Sequence, residues 1–328
     1  MLRGFIHDDQ TTLETSLTSY ENAKRQLQNG GILILDGGTG TELERRGVPM
    51  DTEAWCGAAS LEYNSILESI HRDYIAAGAD IITTNTYSSS RLLLEPAGLA
   101  KHFTDINNAA VDAAHRGREA SGRDDVLIAG SLSHRGAVAK GTAIPDLTRS
   151  HSQGEMDDAF GELAMLLRGR GCDLILLEMM YYPERMGSAF MAAKETGLPI
   201  WAGFSARRHD DGRILSFAPD RDIPFSDIIQ VLQDFEVSAA GVMHTQANVV
   251  GDALKILGQA YEGPLLAYPD SGYFQSPHWQ FEDIIPPNEL KQLASGWIKN
   301  GLQIVGGCCG LTTDHIAALS PLKHQTPD

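Results

Sequence analysis

Cysteine is scarce in this sequence: 4 of 328 residues, Cys56, Cys172, Cys308 and Cys309. That is too few for a disulfide framework, and two of them are neighbours. Long hydrophobic runs are missing as well. No stretch approaches the ~18 apolar residues that span a bilayer. The opening MLRGFIHDDQ has no basic segment followed by an apolar core, so no secretory signal is expected. Positive charge is the third shortage, with 26 Lys and Arg against 43 Asp and Glu and a formal net charge of -17. So acidic a chain lacks the basic patches that hold nucleic acid or anionic membranes, and its charge reads most simply as a source of solubility. Sparse cysteine without an export signal points to a reducing cytoplasm, where a cysteine pair more often serves metal or redox chemistry.

What is present is apolar periodicity. Hydrophobic residues make up 42% of the chain, enough for a well-buried core. Short apolar runs recur at 32–35, 81–84, 126–129, 174–177, 199–202, 239–242, 265–268 and 302–305, the pattern of parallel strands buried on both faces. Between them lie helical spacings. Leu61, Ile66, Ile70, Tyr74 and Ala77 precede a Gly78 that reads as a C-cap, and Met156, Phe160, Leu163, Met165 and Leu167 behave similarly. Eight strands alternating with helices fit either a closed (β/α)8 barrel or a doubly wound sheet. Polar or reactive residues follow every run: Asp36, Asn85, Ser131, Glu178, Ser205, His244, Asp270 and the Cys308-Cys309 pair. A barrel gathers all eight strand exits around one site, whereas a wound sheet concentrates its site at one switch point. The α/β reading is therefore one (β/α)8 barrel over 31–320, with a helical extension over 1–30 and a short tail over 321–328. In the extension, Leu13, Leu17, Tyr20 and Leu27 fit a helix closing the barrel floor, and long loops at 132–154, 206–226 and 269–288 are expected on the rim.

Gly306-Gly307-Cys308-Cys309-Gly310 is the sharpest motif. Glycines permit a tight turn, and two thiolates presented together bind one soft metal ion; the alternative is a buried pair without a ligand. Zinc needs a third donor from another strand end, and His244, following Gly241-Val242-Met243, is the best placed; its alternative is a hydrogen-bonded wall residue. Cys172 precedes its strand and belongs to the opposite face, and Cys56 fits a core role better than a rim one. Asp36 and Glu178 end the first and fourth runs, where two carboxylates hold a cation, serve as acid and base, or bind metal. Asp36 in DGGTGT also suits an ordinary turn or helix cap. A phosphate loop is discounted there, because no Gly-Lys-Ser/Thr follows and Glu42 and Glu44 repel phosphate.

Together, ILDGGTGTELERRGV ending at Val48, Trp55, AGADIITTNTY at 77–87, AGS at 129–131, GCDLILLE at 171–178, YPDSGYF at 268–274 and GGCCG at 306–310 resemble the zinc-dependent homocysteine S-methyltransferase family. The resemblance implies a barrel whose zinc is held by Cys308, Cys309 and a third ligand after the sixth strand. It also implies that Asp36 and Glu178 contact the ammonium group of an amino-acid substrate. The family usually has cysteine where this chain has His244, Thr where it has Met179, and a Gly-Pro stretch where it has SHRGAVAKG at 133–141. Imidazole in place of thiolate makes the donor set less negative by one charge and the zinc a stronger Lewis acid. The implied activity is methyl transfer from a small sulfonium or ammonium donor to a thiol, homocysteine by default, giving methionine. No separate folate or cobalamin domain is expected within these 328 residues. The partners expected are thus a small thiol and a small methyl donor, with neither nucleic acid nor membrane. Other reaction classes suit the same residues: a zinc hydrolase or lyase using water, or a binding relative without turnover.

Overall fold

All eight apolar runs form strands. The computed structural model describes residues 19–325. Its barrel strands are β1 (Leu33–Ile34), β2 (Ile81–Thr83), β3 (Leu127–Ser133), β4 (Leu174–Met180), β5 (Ile200–Phe204), β6 (Ala239–Gln246), β7 (Leu265–Asp270) and β8 (Leu302–Val305). β3, β4 and β6 run on past their apolar stretches into polar residues, which carries Glu178 and His244 within strands rather than just beyond them. The strands pair in parallel in the order β1-β8-β7-β6-β5-β4-β3-β2. A parallel bridge from Leu35 to Ile81 joins the two ends, so the sheet closes and the wound-sheet alternative falls away. Asp80 seals this seam: its amide donates to the Ile34 carbonyl at 2.7 Å, and its carboxylate accepts from the Ile34 amide at 3.0 Å and from Lys323 Nζ at 2.6 Å.

Strand alternation divides the core in two. Leu33, Leu35, Leu127, Ala129, Leu174, Leu176 and Trp201 turn into the barrel, where Met243, Tyr268 and Cys308 lie above them. Their neighbours Ile32, Ile34, Ile128, Ile175 and Leu177 turn outward to pack on the helices. Residues 19–28 are helical, and Tyr20 and Leu27 are buried in the interior cluster, with Trp201 Nε1 donating to the Tyr20 hydroxyl at 3.4 Å. These two close the barrel floor as expected; Leu13 and Leu17 lie outside the described residues.

The helices start and stop on local chemistry. Ser152 and Glu155 form a reciprocal capping box at the head of Gln153–Gly169. Gly78, at φ 109, ends Asn64–Ala77 in a left-handed conformation that costs a glycine little. Two residues expected on apolar faces point outward instead, Leu61 at 43% and Met165 at 45% exposure. Leu61 falls in a separate short helix, Ala59–Glu62, which buries Ala59 and Ser60. Met165 follows Leu163 by two positions, roughly 200° around the helix, and so faces solvent. Among the described residues no helix is long and apolar enough to cross a membrane.

Leu176 is fully buried in the barrel interior. Leu176→Ala is expected to lower unfolding free energy by about 2–5 kcal/mol in urea titration, while Met165→Ala stays within about 0.5 kcal/mol of wild type. Equal effects would contradict the division of inside from outside.

Candidate metal centre

The cysteine turn sits where only glycines let it. A Cβ on Gly306 would lie 2.7–2.8 Å from the carbonyl oxygens of Leu35 and Asp36, and Gly310, at φ 80, lies against the carbonyl of Ser271. Two hydrogen bonds stitch the turn to the exit of β7: Cys308 N donates to Pro269 O at 2.6 Å, and Ser271 N donates to Cys309 O at 3.0 Å. The sulfurs are therefore presented by a braced segment.

His244 reaches them through an irregularity. The β6–β7 register shifts between Met243 and Gln246, and within that shift His244 takes φ 43. A bulge re-aims a side chain, and a left-handed non-glycine residue costs about 1–3 kcal/mol, so the imidazole is held in place against local preference. Trp55 (φ 46) and Met179 (φ 55) share this strain and line the same pocket. Phe217 and Trp279 grip the His244 ring edge-on, with centroids at 5.3 and 5.7 Å.

Nδ1 of His244 lies 3.6 Å from Cys308 Sγ, and Cys308 Sγ lies 3.9 Å from Cys309 Sγ. The three donor atoms all fall within 4.8 Å of one another. Tetrahedral zinc, with Zn–S about 2.3 Å and Zn–N about 2.0–2.1 Å, separates its donors by roughly 3.5–3.8 Å. The two separations from Cys308 come close to these values, and a Cys2His donor set leaves a fourth position for substrate. The residues present fit zinc.

Electrostatics mark the same group. The Cys308 thiol donates toward Cys309, and with His244 alongside this overcomes burial and brings Cys309 down to about 5, while Cys308 rises. For His244, burial opposes charge, but the Asp270 carboxylate and Cys309 outweigh it and push the imidazole up to about 9. The other cysteines are inert by contrast. Burial pushes Cys56, whose Sγ is 3.7 Å from Ser88 Oγ on the pocket wall, up to about 12, and raises Cys172 as well.

Above the cluster opens a cavity of about 880 Å³, mouth included, walled by Trp55, Tyr87, Tyr181, Phe217, Phe274 and Trp279. All three long loops contribute: Arg135 and Val138 from the first, Phe217 from the second, Phe274 and Trp279 from the third. The Arg135 guanidinium stands 5.3–5.7 Å from the ring centres of Trp55, Tyr87 and Phe274. Glu178 lines this cavity, and burial pushes its carboxyl up to about 8. Asp36 sits one layer behind. Fully buried, it accepts from Thr83 N (2.7 Å), Thr83 Oγ1 (2.9 Å) and the Tyr268 hydroxyl (2.9 Å), and burial, resisted by these bonds, pushes it up to about 7. Thr83 and Tyr268 line the cavity in its place. Sequence reasoning gave no role to Phe217 or Trp279, because single aromatics in long loops carry no periodicity, and it marked Asp270 only as a polar residue at a strand exit.

The homocysteine S-methyltransferase family model matches residues 33–322. "Homocysteine S-methyltransferase 2" of Zea mays is 27% identical over 95% of this chain and 98% of its own length. "Betaine--homocysteine S-methyltransferase 1" of Danio rerio is 28% identical over 90% of this chain and 74% of its own. The metallated form of the homocysteine methyltransferase MmuM from Escherichia coli shares the fold with a TM-score of 0.69, at 22% identity over 90% of this chain and 98% of that one. The family match runs from β1 past the cysteine turn and so takes in every strand and every donor described above: the chain belongs to the homocysteine S-methyltransferase family.

Proposed function

We propose that this protein transfers a methyl group from a small sulfonium or ammonium donor to a thiol, homocysteine as the acceptor, in the cavity above Cys308 and Cys309. One observation carries the reading: an imidazole nitrogen and two thiol sulfurs converge at zinc spacing on the floor of an aromatic cavity. Relatives named as homocysteine and betaine–homocysteine methyltransferases support the acceptor and an onium donor. A zinc ion held by His244, Cys308 and Cys309 would supply Lewis acidity that favours the deprotonated form of an incoming thiol.

The chain's own groups do the remainder. Glu178 faces the cavity and receives the ammonium end of the acceptor; an arriving cation restores the carboxylate charge that burial disfavours. Asp36 serves from behind, fixing the Thr83 and Tyr268 hydroxyls of the wall. The aromatic walls keep water from the nucleophile and favour a cationic donor at their faces. The new S–CH3 bond forms as the onium–CH3 bond breaks, its electron pair leaving with a neutral thioether or amine, so alignment of thiolate, methyl and leaving group governs the rate.

Three outcomes are expected. Purified wild type holds about one zinc per chain and His244→Ala markedly less, measured by metal analysis; equal contents would remove His244 from the site. Homocysteine and betaine or a methylsulfonium amino acid, incubated with the protein, give methylated thiol in step with donor loss. Donor loss without thiol would instead indicate hydrolysis or elimination. Glu178 is uncharged below about 8 in the free protein. Hence kcat/KM for an ammonium-bearing thiol rises as pH climbs through that value. Glu178→Gln flattens this limb and raises KM roughly 10–100-fold. An unchanged pH profile in the variant would take Glu178 out of substrate binding.

A further inference from the structure

The far side of the His244 ring is occupied too. Asp270 Oδ2 lies 3.6 Å from His244 Nε2, and both residues are buried, each 7% exposed. Asp270 Oδ1 is buried without a hydrogen-bond partner among the described residues. Among them, moreover, no Lys or Arg nitrogen comes within 4.0 Å of this carboxylate; His244 alone does. A carboxylate buried with an idle oxygen is costly, and among the described residues the imidazole of His244 is the one group placed to offset it.

The backbone holds this carboxylate at the centre. Residues on either side of Asp270 carry the hydrogen bonds that brace the cysteine turn, Pro269 O to Cys308 N and Ser271 N to Cys309 O. Asp270 is also the register partner of Gln246, across the shift that contains His244. Carboxylate, imidazole and thiols are thus parts of one braced unit. An imidazole that gives Nδ1 to a metal carries its proton on Nε2, and that proton needs an acceptor. The 3.6 Å separation exceeds a good N–H···O bond by about 0.6 Å, so ring and carboxylate must draw together by that much once Nδ1 holds a metal.

We propose that Asp270 is the positioning residue of the metal centre: it receives the Nε2 proton of His244, turns Nδ1 toward the two sulfurs, and strengthens that nitrogen as a donor. The inference rests on the reading of His244, Cys308 and Cys309 as zinc ligands. It also says how a Cys2His set recovers negative charge. Two thiolates and a neutral imidazole carry one negative charge fewer than three thiolates, and Asp270 supplies one charge from across the ring.

The test is a double-mutant cycle read by zinc affinity, from chelator competition, and by the ligand-field absorption of the cobalt(II)-loaded protein. Asp270→Asn lowers zinc affinity roughly 10–100-fold and shifts the cobalt bands, with Asp270→Glu recovering part of the loss. In a His244→Cys background no ring proton needs an acceptor, and there Asp270→Asn changes zinc affinity by less than about threefold. Melting of the metal-free variants reports folding. If Asp270→Asn does not fold, Asp270→Glu in both backgrounds reads the same difference. Wild-type affinity in the single variants, or equal losses in both backgrounds, overturns the role of Asp270 and leaves the methyl-transfer reading standing. A wild type that takes up no zinc overturns both.

Discussion

Parallel hydrogen bonding of β6, β7 and β8 is the constraint on which the site depends. His244 and Cys308 are separated by 64 residues in the chain, and their donor atoms are 3.6 Å apart because neighbouring parallel strands end at one level of the barrel. β7 lies between them and contributes the backbone that braces the cysteine turn. The barrel interior beneath, filled by Leu35, Leu176, Trp201 and Met243, supports this level from below. A shifted register in any of the three strands would separate the donors however well the chain otherwise folded.

The site concentrates cost. Asp36, Glu178, His244 and Asp270 are all buried, and three residues on its wall, Trp55, Met179 and His244, hold left-handed backbone. Burial pushes every one of these carboxyls up. Such an arrangement suits charge from outside: in the proposed function an ammonium beside Glu178 and a cation among His244 and the thiols would each offset groups that burial strips of water. The same cavity sets rings beside a few polar groups, Thr83, Asn85, Arg135 and Glu178 among them, and the rings favour a water-poor surface next to the thiols.

Much of this was legible in the residues. The eight apolar runs marked the eight strands because a strand buried on both faces has few alternatives to continuous Val, Ile, Leu and Ala. The cysteine turn was legible because its glycines are needed there, and His244 because it follows the sixth run. Helix faces were read less well. Leu61 and Met165 satisfied apolar spacing in part, but a helix break and a two-residue step put them in solvent. Asp36 and Glu178 looked equivalent as strand-ending carboxylates; their neighbours decide otherwise, Asp36 held by Thr83 and Tyr268 and Glu178 open to the cavity.

By itself, then, the sequence marked the eight strands of the barrel and pointed to three candidate donors, since periodicity and a glycine-flanked cysteine pair are local properties of a chain. Tertiary structure alone decided the distances between donors, the aromatic walls drawn from three loops, the separate stations of the two carboxylates and the placing of Asp270 behind the imidazole. Those depend on which segments close packing and strand register bring together, and no local pattern records that.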